Sequence, residues 1–149
     1  MVEQISPRLR VGFNAKALDG GRLLKRKLLP PLTPPQAGGI KLALVGFSQG
    51  TMTALNVGLR RDDVACILGY SGSLLEDDAS IRTVTHKPLV CLIHGEQDDV
   101  VPFTSMPRAK ELLETQRIDV ETHARPNLGH SIDMEGIMIG GKFLVGSVK

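Results

Sequence analysis

Short apolar runs recur along the chain from residue 40 onward, and each has the length of a β-strand. Three are nearly continuous in apolar character: KLALVGF (41–47), VACILGY (64–70) and PLVCLIHG (88–95). A fourth, IDVETHA (118–124), alternates polar and apolar positions. Continuous runs are typical of strands buried on both faces, whereas alternation is typical of a half-buried edge strand. The pattern therefore predicts four strands after residue 40.

Apolar side chains at helical spacing predict three helices, over residues 49–60, 103–117 and 132–146. Pro107 in the second segment fits only the first turn of a helix, where its missing N–H is not required. In the third segment the apolar residues at helical spacing are Ile132, Ile137 and Phe143. Three glycines in the same segment weaken the prediction of a helix. Strands that alternate with helices in this way predict an α/β fold with a parallel sheet.

Residues 1–39 differ in composition from the rest of the chain. Five of the nine prolines and two pairs of glycines lie there, and no run has strand character. This segment carries seven Lys or Arg residues against two acidic ones, whereas residues 40–149 carry eleven against fourteen. We expect an atypical Pro/Gly-rich basic segment over 1–39 and one domain over 40–149. The slightly acidic domain gives no reason to expect a nucleic-acid partner.

Composition narrows the class of protein further. Aromatic residues make up 3% of the chain, so the core must be aliphatic. Cys66 and Cys91 lie inside apolar runs, where a free thiol behaves as a small hydrophobe, and their spacing indicates neither a metal site nor a disulfide framework. No apolar stretch approaches the roughly 18 residues of a membrane span, and residues 1–10 lack the apolar core of a signal peptide. We expect a cytoplasmic protein.

The pentapeptide GFSQG (46–50) lies between a predicted strand and a predicted helix. In that context a G-x-S-x-G sequence indicates a nucleophile elbow, in which a sharp turn raises the Ser48 hydroxyl clear of the sheet. The backbone amide of Gln49, at the helix N-terminus, then points toward a developing oxyanion. The alternative is a serine that only caps a helix among glycines.

A serine nucleophile needs a base and a group that orients that base. A carboxylate, Asp98 or Asp99, follows the third predicted strand, and His130 follows the fourth. Both loops lie at the carboxyl edge of a parallel sheet, where catalytic groups gather. A single loop histidine is more often a surface residue, but the order Ser, Asp, His is that of α/β-hydrolases.

These segments together resemble the phospholipase/carboxylesterase family of α/β-hydrolases, which includes the acyl-protein thioesterases. The resemblance covers residues 40–149, and its segments are GFSQG (46–50), LGYSG (68–72), HGxxDxxVP (94–102), and GHSI with IDMEGxxxGGxFL (129–144). It implies a three-layer α/β-hydrolase sandwich with a mostly parallel sheet.

The resemblance also implies roles for individual residues. Ser48 falls on the family's nucleophile, Asp98 rather than Asp99 on its acid, and His130 on its base. His94 matches a structural His-Gly pair, whereas His86 and His123 match nothing and are expected at the surface. The implied reaction is hydrolysis of a small-molecule ester or thioester through an acyl-enzyme, with no metal or organic cofactor. The residues just beyond strand ends that we expect to line an acyl pocket, or only to pack, are Leu74, Leu75, Val100 and Phe103.

The chain departs from this family before the elbow. Only 47 residues precede Ser48, and none is the histidine of the family's His-Gly-x-Gly loop, which donates the second oxyanion amide. We therefore expect a sheet that lacks some N-terminal strands. Residues 1–39 partly replace the missing part, or the exposed edge of the sheet leads to homodimer formation, and the sequence does not decide between these two. Two hypotheses follow: a serine hydrolase of reduced activity, or a catalytically silent remnant that acts as a binding module.

Overall fold

The computed structural model describes residues 42–74, 84 and 86–147. The predicted segment 1–39 and Leu75 lie outside the described residues. The described elements, in chain order, are β1 (Leu42–Phe47), α1 (Gln49–Gly58), β2 (Val64–Tyr70), β3 (Leu89–Gly95), α2 (Ser105–Thr115), β4 (Val120–Arg125) and α3 (Met134–Ser147).

The four strands form one parallel sheet in the order β1-β2-β3-β4, which is also their order along the chain. The apolar central strands β2 and β3 are buried along almost their whole lengths, whereas β4 is half-buried at the edge. Because all strands are parallel, their carboxyl ends meet at one edge of the sheet. The predicted α/β fold and its four strands are confirmed.

Helices cover both faces of the sheet and give three layers. On one face α1 and α2 pack against the sheet in a mainly aliphatic cluster that includes Leu55, Ile67 and Leu113. On the other face α3 places Ile139, Phe143 and Leu144 against a second cluster, which comprises Leu68, Tyr70, Cys91 and Ile93. No helix in the described part of the chain combines the length and the apolar character needed to cross a membrane.

The third helix differs from its predicted form. It begins at Met134, so Ile132 precedes it, and Ile137 is 54% exposed. The buried positions of α3 are Gly136 and Gly140. Glycine lets the helix backbone approach the sheet closely, so apolar side chains at 132 and 137 do not mark the packed face.

Candidate active site

Ser48 occupies a strained turn between β1 and α1. Its backbone has φ 53° and ψ −120°, a region that costs a non-glycine residue about 1–3 kcal/mol. The turn is fixed from both sides, because Ser48 N–H donates to Tyr70 O at 2.9 Å and Thr51 N–H donates to Ser48 O at 3.0 Å. A Cβ at Gly46 would lie 2.4 Å from the backbone of Gly50. The turn from strand to helix is therefore sharp and crowded, which explains why glycine stands at position 46, and the role of Ser48 as a nucleophile stays a prediction.

Thr51 braces the elbow from within the first turn of α1. Its side chain is buried, and its hydroxyl donates to Tyr70 O at 2.8 Å. Gly69 and Gly72 leave room for it, since a Cβ at either position would lie 2.4 Å from a Thr51 side-chain atom. This role of Thr51 is not visible in the sequence, because one threonine in a helix carries no pattern of its own.

Asp98 lies in the loop after β3 with a fully buried carboxylate. Its Oδ1 accepts hydrogen bonds from the backbone amides of Val100 (3.0 Å) and Val101 (2.8 Å). His130 Nδ1 lies 2.9 Å from Oδ2 and 3.1 Å from Oδ1 of the same carboxylate. Burial raises the pKa of Asp98, but the hydrogen bond from His130 and those from the two amides outweigh it, and the net effect lowers the pKa. The carboxylate is therefore ionised at neutral pH.

His94 supports the same loop from the end of β3. Its ring is buried, and Nε2 lies 2.9 Å from Val101 O, a group that only accepts, so Nε2 carries the hydrogen. Nε2 also lies 3.2 Å from Asp98 Oδ2. Phe103 packs edge-on against this ring at a centroid distance of 6.0 Å. His94 thus holds the acidic loop in shape.

The loop between β4 and α3 carries His130 and packs on the Asp98 loop. Gln97 N–H donates to Leu128 O at 2.9 Å, and a Cβ at Gly95 would lie 2.2 Å from that same oxygen. Arg125 and Asp133, at the two ends of the His130 loop, form a salt bridge of 3.0 Å. This pair is not visible in the sequence, because oppositely charged residues eight positions apart have no periodic signal.

The structure brings His130 against the elbow as well as against Asp98. The imidazole centroid lies 4.8 Å from that of Phe47, the residue immediately before Ser48. Since Nδ1 faces an ionised carboxylate it carries a hydrogen, and in the neutral form of the ring the lone pair is then on Nε2. Among the described residues, the hydrogen bonds of His130 go to Asp98 and none joins its ring to the Ser48 hydroxyl.

Gln49 is the first residue of α1, so its N–H has no acceptor within the helix. This leaves the amide beside Ser48 available to a negatively charged oxygen. Within the described ranges we identify no second backbone amide directed at the same point. The assignment of Gln49 to an oxyanion hole stays a prediction.

The residues predicted to line an acyl pocket lie in different environments in the structure. Leu74 is buried and lines a groove of about 820 Å³ together with Pro102, Ser105 and Leu112. Val100 is 64% exposed. Phe103 packs on the core and on His94. Their role in binding an acyl group stays a prediction.

A family model and two related proteins indicate the same family for this chain. A family model described as Phospholipase/Carboxylesterase matches residues 36–147. The chain is 33% identical over 97 residues to an acyl-protein thioesterase 1 of Gibberella zeae, and this match covers 61% of the chain and 41% of that protein. It is 32% identical over 99 residues to the esterase YpfH of Escherichia coli, and this match covers 64% of the chain and 40% of that protein. The chain therefore spans about two-fifths of the length of these relatives.

Solved structures agree with the fold. The crystal structure of esterase PE8 superposes with a TM-score of 0.67 at 36% identity, covering 71% of this chain and 50% of that one. The structure of an acyl-protein thioesterase 2 from Zea mays gives a TM-score of 0.67 at 23% identity. This match covers 76% of this chain and 59% of that one. The predicted α/β-hydrolase fold is confirmed by these matches.

Proposed function

The chain belongs to the phospholipase/carboxylesterase family, and on that premise we propose that it is a serine hydrolase that cleaves carboxylic esters or thioesters. The observation that carries the proposal is the pairing of His130 with the buried Asp98 beside the strained turn at Ser48. A turn of this kind is costly, and such strain concentrates at functional sites. The predicted roles of Ser48, Asp98 and His130 are part of the proposal.

In the proposed reaction, Ser48 Oγ forms a bond to the acyl carbon while its proton passes to His130 Nε2. The tetrahedral intermediate collapses as the C–O or C–S bond to the leaving group breaks, and the imidazolium protonates the departing alkoxide or thiolate. Water then attacks the acyl-enzyme, His130 again takes and returns the proton, and the free acid leaves. Asp98 holds the Nδ1–H tautomer and stabilises the imidazolium throughout.

The amide of Gln49 supports the negative charge that develops on the carbonyl oxygen in both steps. One such donor is worth about 10²–10³ in rate, which corresponds to about 3–4 kcal/mol. This sequence of steps uses only side chains and backbone amides of the chain, so the proposal includes no metal or organic cofactor. The acyl group would lie against the apolar side chains near the loop ends, Leu74 and Phe103 among them.

Two further predictions belong to this proposal. The expected homodimer would form through the edge of β1, which pairs only with β2 among the described strands. Sedimentation velocity over a hundredfold concentration range tests it, and a single monomeric species at all concentrations would contradict it. The predicted cytoplasmic location is tested by fractionation of cells that express the protein at its natural level.

Labelling with a fluorophosphonate probe tests the proposed nucleophile. Wild-type protein should be labelled, Ser48→Ala should not, and Ser131→Ala, which alters an exposed serine beside His130, should be labelled as the wild type is. Circular dichroism and a cooperative thermal transition establish that each sample is folded. Hydrolysis of acyl esters and thioesters of increasing chain length would then define the substrate class.

Absence of labelling in folded wild-type protein would overturn the proposal in favour of the silent remnant that acts as a binding module. Labelling that persists in Ser48→Ala would place the reactive group elsewhere.

A further inference from the structure

Three potential metal ligands meet on the face of the sheet that α3 partly covers. They are the thiol of Cys91, the carboxylate of Glu121 and the imidazole of His123, and one ligand atom from each lies within 4.8 Å of the other two. Cys91 belongs to β3, and the other two belong to the edge strand β4. The cluster is separate from the proposed catalytic residues, which lie in loops at the carboxyl edge.

Strand register explains why these residues converge. Cys91 pairs with Glu121, and Ile93 pairs with His123, in the parallel ladder between β3 and β4. Side chains two residues apart on a strand share a face, so Glu121 and His123 both point to the side on which Cys91 and Ile93 pack under α3. Nothing in the spacing along the chain reveals this, because 30 residues separate Cys91 from Glu121.

The three side chains of the cluster differ in burial. Cys91 is fully buried, whereas the side chains of Glu121 and His123 are 53% and 30% exposed. The two exposed side chains line an open groove of about 1130 Å³ between α3 and β4, together with Ile139 and Lys142. Glu121 and His123 thus face the groove, whereas Cys91 lies beneath them, so an ion held by all three would sit at the floor of the groove with water as its fourth ligand.

The donor set selects the class of metal. Thiolate, imidazole and carboxylate together are the ligands of Zn²⁺, and a thiolate and a carboxylate balance its charge of two. A tetrahedral Zn²⁺ with bonds of about 2.0–2.3 Å holds its ligand atoms roughly 3.3–3.7 Å apart. His123 Nε2 and Glu121 Oε1 now lie 2.5 Å apart in a hydrogen bond. Rotation of these exposed side chains replaces that bond with two bonds to the metal.

We propose that Cys91, Glu121 and His123 form a Zn²⁺ site that ties the edge strand β4 to β3. Binding breaks the S–H bond of Cys91, releases its proton to solvent and forms the metal–sulfur bond, with no change of oxidation state. The expectation from sequence that the chain has no metal site is revised by this proposal. The site is independent of the proposed hydrolase activity.

Titration with Co²⁺, a spectroscopic substitute for Zn²⁺, tests the site directly. The wild-type protein should bind one Co²⁺ with a thiolate-to-cobalt charge-transfer band, lose that band when Zn²⁺ is added, and release one proton per metal. Saturating Zn²⁺ should raise the Tm by about 5–10 °C at a hundredfold excess over its Kd.

Variants assign the ligands. Cys91→Ala and His123→Ala should weaken Co²⁺ binding by at least about a hundredfold. Cys66→Ala removes the other buried thiol and should bind as the wild type does. Because His123 is partly exposed, His123→Ala folds even if Cys91→Ala does not.

A titration without the charge-transfer band, or with a band that persists in His123→Ala, would overturn the proposal. Glu121 and His123 would then be only a hydrogen-bonded surface pair.

Discussion

Arg125 binds Asp133 through two of its nitrogens, Nε and Nη2, each 3.0 Å from Oδ2. The two residues flank the loop that carries His130, so the bridge closes that loop at its base. Arg125 Nη2 also contacts Glu135, and Asp133 Oδ1 accepts the N–H of Gly136 at 2.7 Å. The Arg125 guanidinium holds the pKa of Asp133 below its ordinary value of 3.8, so the bridge is intact at neutral pH.

We expect Arg125→Met to slow catalysis without a matching loss of substrate affinity. Without the bridge the His130 loop gains freedom, and under the proposed mechanism a misplaced general base lowers the rate of proton transfer. The kcat should fall about tenfold or more, with KM changed less than twofold. Arg125→Lys should retain part of the kcat that Arg125→Met loses. Arg60→Met, which alters an arginine bonded to Asn56 at the end of α1, is the control. Equal kcat values for Arg125→Met and the control would show that the bridge does not position His130.

Asp98→Asn should reduce hydrolysis by about 10⁴, because an amide no longer holds the Nδ1–H tautomer of His130. Initial rates with an activated ester measure this. A fall of less than about tenfold would remove Asp98 from the proposed mechanism.

Asp98 should also contribute to stability in a pH-dependent way. Its folded pKa lies below the ordinary value of 3.8, so its contribution is complete above that value and is lost as the pH falls through the folded pKa. The free energies of unfolding of the wild type and Asp98→Asn, from urea titrations, should differ by a constant amount near neutral pH. The difference should shrink below about pH 3.8. A difference that stays constant at low pH would contradict the lowered pKa.

Adjacent glycines of α3 should respond in opposite ways to alanine. At Gly140 a Cβ would lie 2.2 Å from Tyr70 Oη and 2.7 Å from a methyl carbon of Leu68, so Gly140→Ala should destabilise the fold by about 1–3 kcal/mol. At Gly141 a Cβ meets no atom within 4 Å, so Gly141→Ala should stabilise the helix by about 0.5–1 kcal/mol. Urea denaturation of both variants measures the difference, and equal effects would show that α3 does not pack as described.

Both cysteines should resist alkylation in the folded protein. Burial raises the pKa of Cys91 to about 12 and also raises the pKa of Cys66. At about pH 8 only roughly one Cys91 thiol in ten thousand is ionised, and the thiolate is the reactive form. Mass spectrometry after iodoacetamide treatment should show no adduct in buffer and two in urea. Modification of either cysteine in buffer would contradict its burial.

The elements and their order could be predicted from the sequence, because the buried parallel strands are continuous apolar runs. The segment that contains β4 could be predicted because its polar and apolar residues alternate. The sequence also predicted that Asp98 and His130 follow strands, and the parallel topology then places both at one edge. It did not predict the bridge between Arg125 and Asp133, the buried Thr51 or the cluster around Cys91. Each of these depends on side-chain contacts or strand register, which leave no periodic trace along the chain.

The turn at Ser48 has a consequence for how this chain can change over time. Glycine tolerates φ 53° and ψ −120° without strain, so Ser48→Gly should raise the thermal stability while it removes the hydroxyl. A chain under selection only to remain folded would thus gain from losing the serine. Under the proposed function, stability and catalysis therefore place opposite demands on the residue at position 48.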